Sequence, residues 1–142
     1  MVTGYLFDTC VISEASRPQP DPAVQQWMTR VPAHLAWTSV VVFGELNAGI
    51  CLLDEGARRR SLVAWLARQR AAFANCCLPI DEPTARAWGE LHAARQRLGR
   101  PLAVADGFIA ATALVRGLTL ATRNDHDFQD CGISIVNPWK AR

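Results

Sequence analysis

The sequence predicts an α/β fold in which helices flank a mostly parallel sheet. Three observations carry that prediction. Short apolar runs of strand character alternate along the chain with longer segments of helical periodicity, the pattern of right-handed βαβ crossovers. Half of the 142 residues are hydrophobic, enough apolar surface for a sizeable core. No internal repeat, low-complexity stretch or long linker divides the chain, so residues 1–142 are expected to form one domain.

The elements follow in order. Tyr5-Leu6-Phe7 is an apolar run ending at Asp8 and predicts a buried first strand. Thr9 to Ser16 continues as a short helix or turn, stopped by Arg17-Pro18-Gln19-Pro20. Asp21-Pro22 opens a helix with an N-cap residue and a proline at the first position, running to about Arg30. Leu35 to Thr38 is a second strand, and Ser39 caps a helix from Val40 to about Leu53. A long helix spans about Ala57 to Phe73, with Leu62, Val63, Leu66 and Phe73 at helical spacing. Cys77-Leu78-Pro79-Ile80 is a third strand. Asp81-Glu82-Pro83 then opens a helix to about Leu98, ended by Gly99-Arg100-Pro101. Leu102 to Arg116 is an alanine-rich helix closed by Gly117. Leu118 to Thr122 and Ile133 to Val136 complete the strands.

Composition narrows the function. With 15 Lys+Arg against 13 Asp+Glu the net charge is only +2, which excludes blanket binding to nucleic acid but not a local basic patch. Lys140 is the sole lysine; arginine, which grips phosphate and carboxylate as a fork, supplies every other basic charge. The cysteines Cys10, Cys51, Cys76, Cys77 and Cys131 are odd in number, lack a CxxC pair and have no zinc-ligand spacing with the histidines. They are expected to be buried thiols of a reducing cytoplasm, with Cys76 and Cys77 on opposite faces of a strand. The first residues lack a signal-peptide pattern. The longest apolar stretch, Val40 to Leu53, is interrupted by Glu45 and Asn47, so no membrane partner is expected.

In parallel sheets ligands bind beyond the carboxyl ends of the strands. Four places offer carboxylates there: Asp8, Glu45, Asp106 and the segment Thr122-Arg123-Asn124-Asp125-His126-Asp127. Each has a plain structural reading. Asp8 fits a turn or cap, Asp106 a first-turn acid, and Asn124-Asp125 a turn. Glu45 is harder to dismiss, since it lies between an apolar face of Phe43, Leu46 and Ile50 and flanking Val42 and Gly49, where an unpaired carboxylate is costly. Gly107 beside Asp106 costs about 1 kcal/mol inside a helix relative to alanine, which suggests close approach of a backbone or of substrate. Taken together the acids suggest an all-oxygen site for Mg2+ or Mn2+ rather than Zn2+, and phosphodiester hydrolysis is the natural chemistry of such a site.

Several segments resemble the motifs of PIN-domain proteins. Leu6-Phe7-Asp8-Thr9-Cys10-Val11-Ile12-Ser13-Glu14 is similar to the opening LLDTNVLSE. Ser39 with Gly44-Glu45-Leu46 resembles the second motif, Ala105 to Ala113 the third, Ala121-Thr122-Arg123-Asn124 with Asp127-Phe128 the fourth, and Asn137-Pro138-Trp139 the common tail. The match spans essentially the whole chain and is strongest toward the VapC/FitB-like toxins of type II toxin–antitoxin systems. It implies an α/β/α sandwich on a five-stranded parallel sheet, a homodimer, a Mg2+- or Mn2+-dependent endoribonuclease acting on RNA, and a cognate antitoxin. By motif position it makes Asp8, Glu45, Asp106 and Asp127 the catalytic, metal-ligating acids, with Asp125 a further candidate. Ser39, Thr122 and Asn124 would support them. Two departures stand out: Cys10 replaces the usual Asn beside the first aspartate, and Val42 stands where a hydroxyl residue is frequent.

Arginines at 58–60, 68, 70, 95, 97 and 100 are read as solvated helix faces or as contacts to RNA phosphates, with Arg123 the best-placed substrate contact. The tryptophans are read as core or dimer packing. A signalling receiver, which wants an acidic pair near the first strand, an acceptor at the third and a later lysine, is disfavoured because the only lysine, Lys140, lies in the tail, and a haloacid-dehalogenase phosphatase by the missing second aspartate of DxD. The alternative within the same fold is a non-catalytic RNA- or protein-binding module, for which Cys10 is the main argument.

Overall fold

Most helices begin where a single side chain satisfies a free backbone N–H. The Asp8 carboxylate accepts from Thr9 N and starts α1, Thr9–Glu14. Asp21 accepts from Ala23 N and starts α2, Pro22–Arg30, with Pro22 in its first turn. Ser39 accepts from Val42 N and starts α3, Val40–Cys51. Helix α4 is Ala57–Ala72, and Asp81 caps α5, Glu82–Arg97, through Thr84 N. Helix α6, Val104–Arg116, ends on Gly117 at φ +65°, a left-handed position that favours glycine.

These helices flank one sheet in a computed structural model that describes residues 3–140. Its strands are β1 Tyr5–Phe7, β2 Ala36–Ser39, β3 Cys77–Leu78, β4 Thr119–Ala121 and β5 Ile135–Val136. Their order is β3-β2-β1-β4-β5 and every pairing is parallel, so the architecture is the expected α/β/α sandwich on five parallel strands. Leu6 and Leu120, on the neighbouring strands β1 and β4, are fully buried among Val11, Ile12, Val42 and Ile109.

Several sequence expectations need correction. The third and fifth strands are two residues long rather than four; Pro79, without an N–H, directly follows the third. Leu35 belongs to a 3-10 turn, Ala33–Leu35, and not to β2. Helix α6 starts at Val104, beyond Pro101, and α3 stops at Cys51. Val63 is 54% exposed. The inward face of α4 is instead Leu62, Trp65, Leu66 and Phe73, whose spacing keeps one stripe of the helix while Val63 falls outside it. Val42 lies with Phe43, Leu46 and Ile50 in the core, which leaves Glu45 at the edge of that face. Of the five free thiols only Cys131 is buried, Cys51 is exposed, and Cys76 precedes the short strand that holds Cys77.

Candidate active site

Strand β1 sits at the centre of the order, with β2 and β3 on one side and β4 and β5 on the other. The switch point is therefore between β1 and β4, where an open parallel sheet forms a crevice at its carboxyl end. Asp8 leaves β1 there and Thr122 leaves β4, with Asp8 N bonded to Ala121 O at 3.0 Å.

Asp8 is 4% exposed, and both of its carboxylate oxygens are engaged. Oδ1 accepts from Thr9 N at 2.8 Å, and Oδ2 accepts from Thr122 Oγ1 at 2.7 Å and from Cys10 Sγ at 3.7 Å. Burial pushes this carboxyl above the usual range, against the pull of those hydrogen bonds. Burial, then the neighbouring Asp8 charge, lifts the Cys10 thiol to about 11, so it stays protonated as a donor. Cys10 thus supplies a hydrogen bond to Asp8 in place of an amide, and its sulfur accepts from Arg123 N at 3.4 Å.

Thr9 is a residue that sequence reasoning passed over. Its hydroxyl donates to Glu45 Oε1 at 2.6 Å and so joins α1 to α3 beside Asp8. The available signal was a hydroxyl directly after the first aspartate. Asp106 lies in the first turn of α6, half-buried. Its carboxyl is raised to about 6, by burial first and then by the charges of Asp8, Glu45 and Asp127. Asp8, Glu45 and Asp127 therefore lie within electrostatic reach of Asp106. Asp127 is exposed in the 3-10 turn Asp125–Phe128, which Phe128 anchors in the core, and shares a cavity of about 330 Å3 with Asp106, Arg95, Arg100 and His126.

The other expected residues divide. Thr122 bonds Asp8 and accepts Asn124 N at 3.1 Å, so Asn124 contributes its backbone N–H while its side chain is exposed. Ser39 is fully buried as the cap of α3 and meets none of the acids; its effect on Glu45 runs through the helix it starts. Asp125 is drawn away to Lys140 Nζ at 3.4 Å. Arg95 is not on a solvated face: it is 4% exposed and donates to the carbonyls of Arg100, Gln129 and Asp127. The close approach expected at Gly107 is Trp88, which stacks on Phe108 and would lie 2.8 Å from a Cβ there.

Among the described residues the ion pairs involve Glu14, Glu82, Asp130, Asp81 and Asp125, and none involves Asp8, Glu45, Asp106 or Asp127. Four carboxylates with no ion-paired basic partner among the described residues, and with oxygen donors only, fit a hard divalent cation. No three His, Cys, Asp or Glu side chains among the described residues form a ready metal cage. An ion held here would complete its shell with water, as Mg2+ does.

These features define a class: a parallel α/β domain with an acidic centre at its topological switch point. The PIN domain family matches residues 5–133, and the chain belongs to that family. It is 38% identical over 137 residues to the plasmid stability protein StbB of Pseudomonas syringae pv. tomato, covering 96% of this chain and 99% of that protein. It is 36% identical to the toxin FitB of Neisseria gonorrhoeae, covering 94% and 97%. It is 34% identical to the VapC ribonuclease Y4jK of Sinorhizobium fredii, covering 95% and 97%. The crystal structure of FitAcB from Neisseria gonorrhoeae aligns with a TM-score of 0.89 at 36% identity, over 96% of this chain and 99% of that one.

Proposed function

We propose that the chain is the toxin of a type II toxin–antitoxin pair and acts as a Mg2+- or Mn2+-dependent endoribonuclease. The observation that carries this reading is the set of four acids at the switch point without a basic partner. The relatives named as a toxin, a plasmid stability protein and a ribonuclease support it. Asp8, Glu45, Asp106 and Asp127 are the proposed metal-holding residues. A bound divalent ion supplies an acidified water nucleophile and neutralises charge on the phosphoryl oxygens. The chain's own residues prepare that event. Thr9, Cys10 and Thr122 fix Asp8 in one orientation, Thr9 also holds Glu45, and Asp106, whose carboxyl is raised to about 6, has no hydrogen-bond donor among the described residues.

A cognate antitoxin, a homodimeric state and a cytoplasmic setting belong to the same reading. No helix among the described residues is long and apolar enough to cross a membrane. The Cys10 thiol donates to Asp8 where an amide is usual, which supports the catalytic reading over a non-catalytic RNA- or protein-binding module. The test is incubation of purified protein with Mn2+ and total RNA or folded tRNA from its host. Cleavage that EDTA stops and that Asp8→Asn abolishes is the expected result. A wild-type protein that binds Mn2+ yet cuts none of these RNAs refutes the nuclease reading.

A further inference from the structure

The proline-rich link between α1 and α2 plays no part in the acidic centre. Residues 17–22 instead wall a groove of about 690 Å3 whose other lining includes Glu14, Arg123 and Trp139. The acids in this groove are already engaged. Glu14 is buried and accepts from Arg17 Nη1 at 3.3 Å and from Asp21 N at 3.1 Å, while Asp21 accepts from Ala23 N at 2.8 Å as the cap of α2. Arg123 differs: among the described residues it pairs with no carboxylate. Its Cζ lies 5.3 Å from the centroid of the Trp139 ring. A cation–π contact of this kind positions the guanidinium while leaving its N–H donors free.

The tail residues fix both partners. Asn137 Nδ2 donates to Arg123 O at 3.2 Å, and Asn137 Oδ1 accepts from Trp139 N at 2.9 Å. On the other side, Arg123 follows Thr122, whose hydroxyl holds Asp8, and Arg123 N meets Cys10 Sγ. The groove therefore begins one residue from the acidic centre. Its lining also includes Pro18, Pro20 and Pro22, which offer apolar rings and no backbone N–H.

We propose that this groove holds the single-stranded RNA flank beside the scissile phosphate, with Arg123 taking one backbone phosphate and a base lying against the proline wall. The inference rests on the nuclease reading and extends it to the form of the substrate. One free guanidinium next to apolar and aromatic surface matches a nucleotide, which brings one charge and one flat base. An acidic peptide would need several cations, and the second guanidinium here is shared with Glu14.

The test is fluorescence anisotropy of a short, unstructured, fluorescein-labelled RNA in EDTA between about 50 and 200 mM salt. Arg123 is exposed, so Arg123→Gln leaves the fold in place. It is expected to weaken binding about tenfold and to lower the salt slope by about 0.7, the contribution of one single-strand phosphate. Arg123→Lys should keep the slope and recover part of the affinity. Trp139→Leu should weaken binding by freeing Arg123. Unchanged affinity and slope in Arg123→Gln overturn the proposal, whether or not the protein cleaves RNA. Tight binding of an oligoglutamate peptide in place of RNA also overturns it. Arg123-dependent RNA binding without cleavage in Mn2+ supports the groove and refutes the nuclease reading, so the two failures are distinguishable.

Discussion

Replacing Arg95 with methionine removes a guanidinium and keeps most of its apolar stem. The structure sets the expected cost. Nε donates to Arg100 O at 2.7 Å, Nη1 to Gln129 O at 2.5 Å and Nη2 to Asp127 O at 3.3 Å. Hydrogen bonds to a charged group contribute about 1.5–3 kcal/mol each, so the two short ones together hold about 3–6 kcal/mol. Removing the cation also removes its desolvation penalty, and the buried methionine stem recovers some packing. A net loss of about 3 kcal/mol remains, against a total of about 5–15 kcal/mol for an ordinary domain. The three carbonyls belong to the loop after α5 and to the turn that carries Asp127, so Mn2+ affinity should fall with stability. Urea unfolding in EDTA, followed by tryptophan fluorescence, gives the first number at constant m; calorimetric Mn2+ titration gives the second. Arg95→Lys, which keeps the charge but not the fork, should recover part of both. A loss below about 1 kcal/mol refutes the reasoning that these carbonyls depend on Arg95. A full loss of stability with unchanged Mn2+ affinity refutes the link to Asp127.

Two further outcomes are expected. The Asp106 carboxyl at about 6 lies above its ordinary 3.8, so in metal-free protein its contribution to stability is complete below about pH 4 and is lost as pH rises through 6. Asp106→Asn should therefore stabilise the metal-free protein at neutral pH by about 1–2 kcal/mol after allowing for partial exposure, seen as a higher Tm in scanning calorimetry, and leave the Tm unchanged near pH 4. Gly107→Ala would set a Cβ 2.8 Å from Trp88 Nε1 and force the indole off Phe108, costing about 1–3 kcal/mol against a gain of about 1 kcal/mol in helix propensity. A higher urea midpoint for this variant would show that Trp88 does not need the space.

The parts of the molecule legible in the sequence are those decided over a few residues. Asp21, Ser39 and Asp81 each start a helix by bonding an N–H two or three positions ahead, and Gly117 ends one through its own backbone angles. Strand ends were less legible because a partner strand decides them: β3 lasts only as long as Thr38 and Ser39 pair with it. At the site, Asp8 stands out as an acid at a strand end, Asp106 as one in a helix's first turn, and Glu45 as a carboxylate beside the apolar face of a helix. Their partners do not, since Thr122 reaches Asp8 across 114 positions and Thr9 reaches Glu45 across 36. Arg95 was the hardest to read. In sequence it is one arginine among several near a helix end, and only the path of residues 100–129 brings three carbonyls around it.

The acids at the switch point are not equivalent, and the difference follows from where each begins. Asp8 is fixed at the end of the central strand, with both oxygens occupied by donors from α1 and β4. Any change in its charge must work against that network. Asp106 comes from a helix start, carries no hydrogen bond among the described residues, and is held near 6 by burial and three neighbouring charges. It is thus the group whose charge responds first when the local field changes. Binding of a divalent cation should release a proton from Asp106 in the range around pH 6, and the buried Asp8, whose carboxyl is also raised, contributes in the same direction. The pH dependence of Mn2+ binding, followed by calorimetry, should therefore weaken in Asp106→Asn, and an unchanged profile in that variant refutes the assignment of this proton to Asp106.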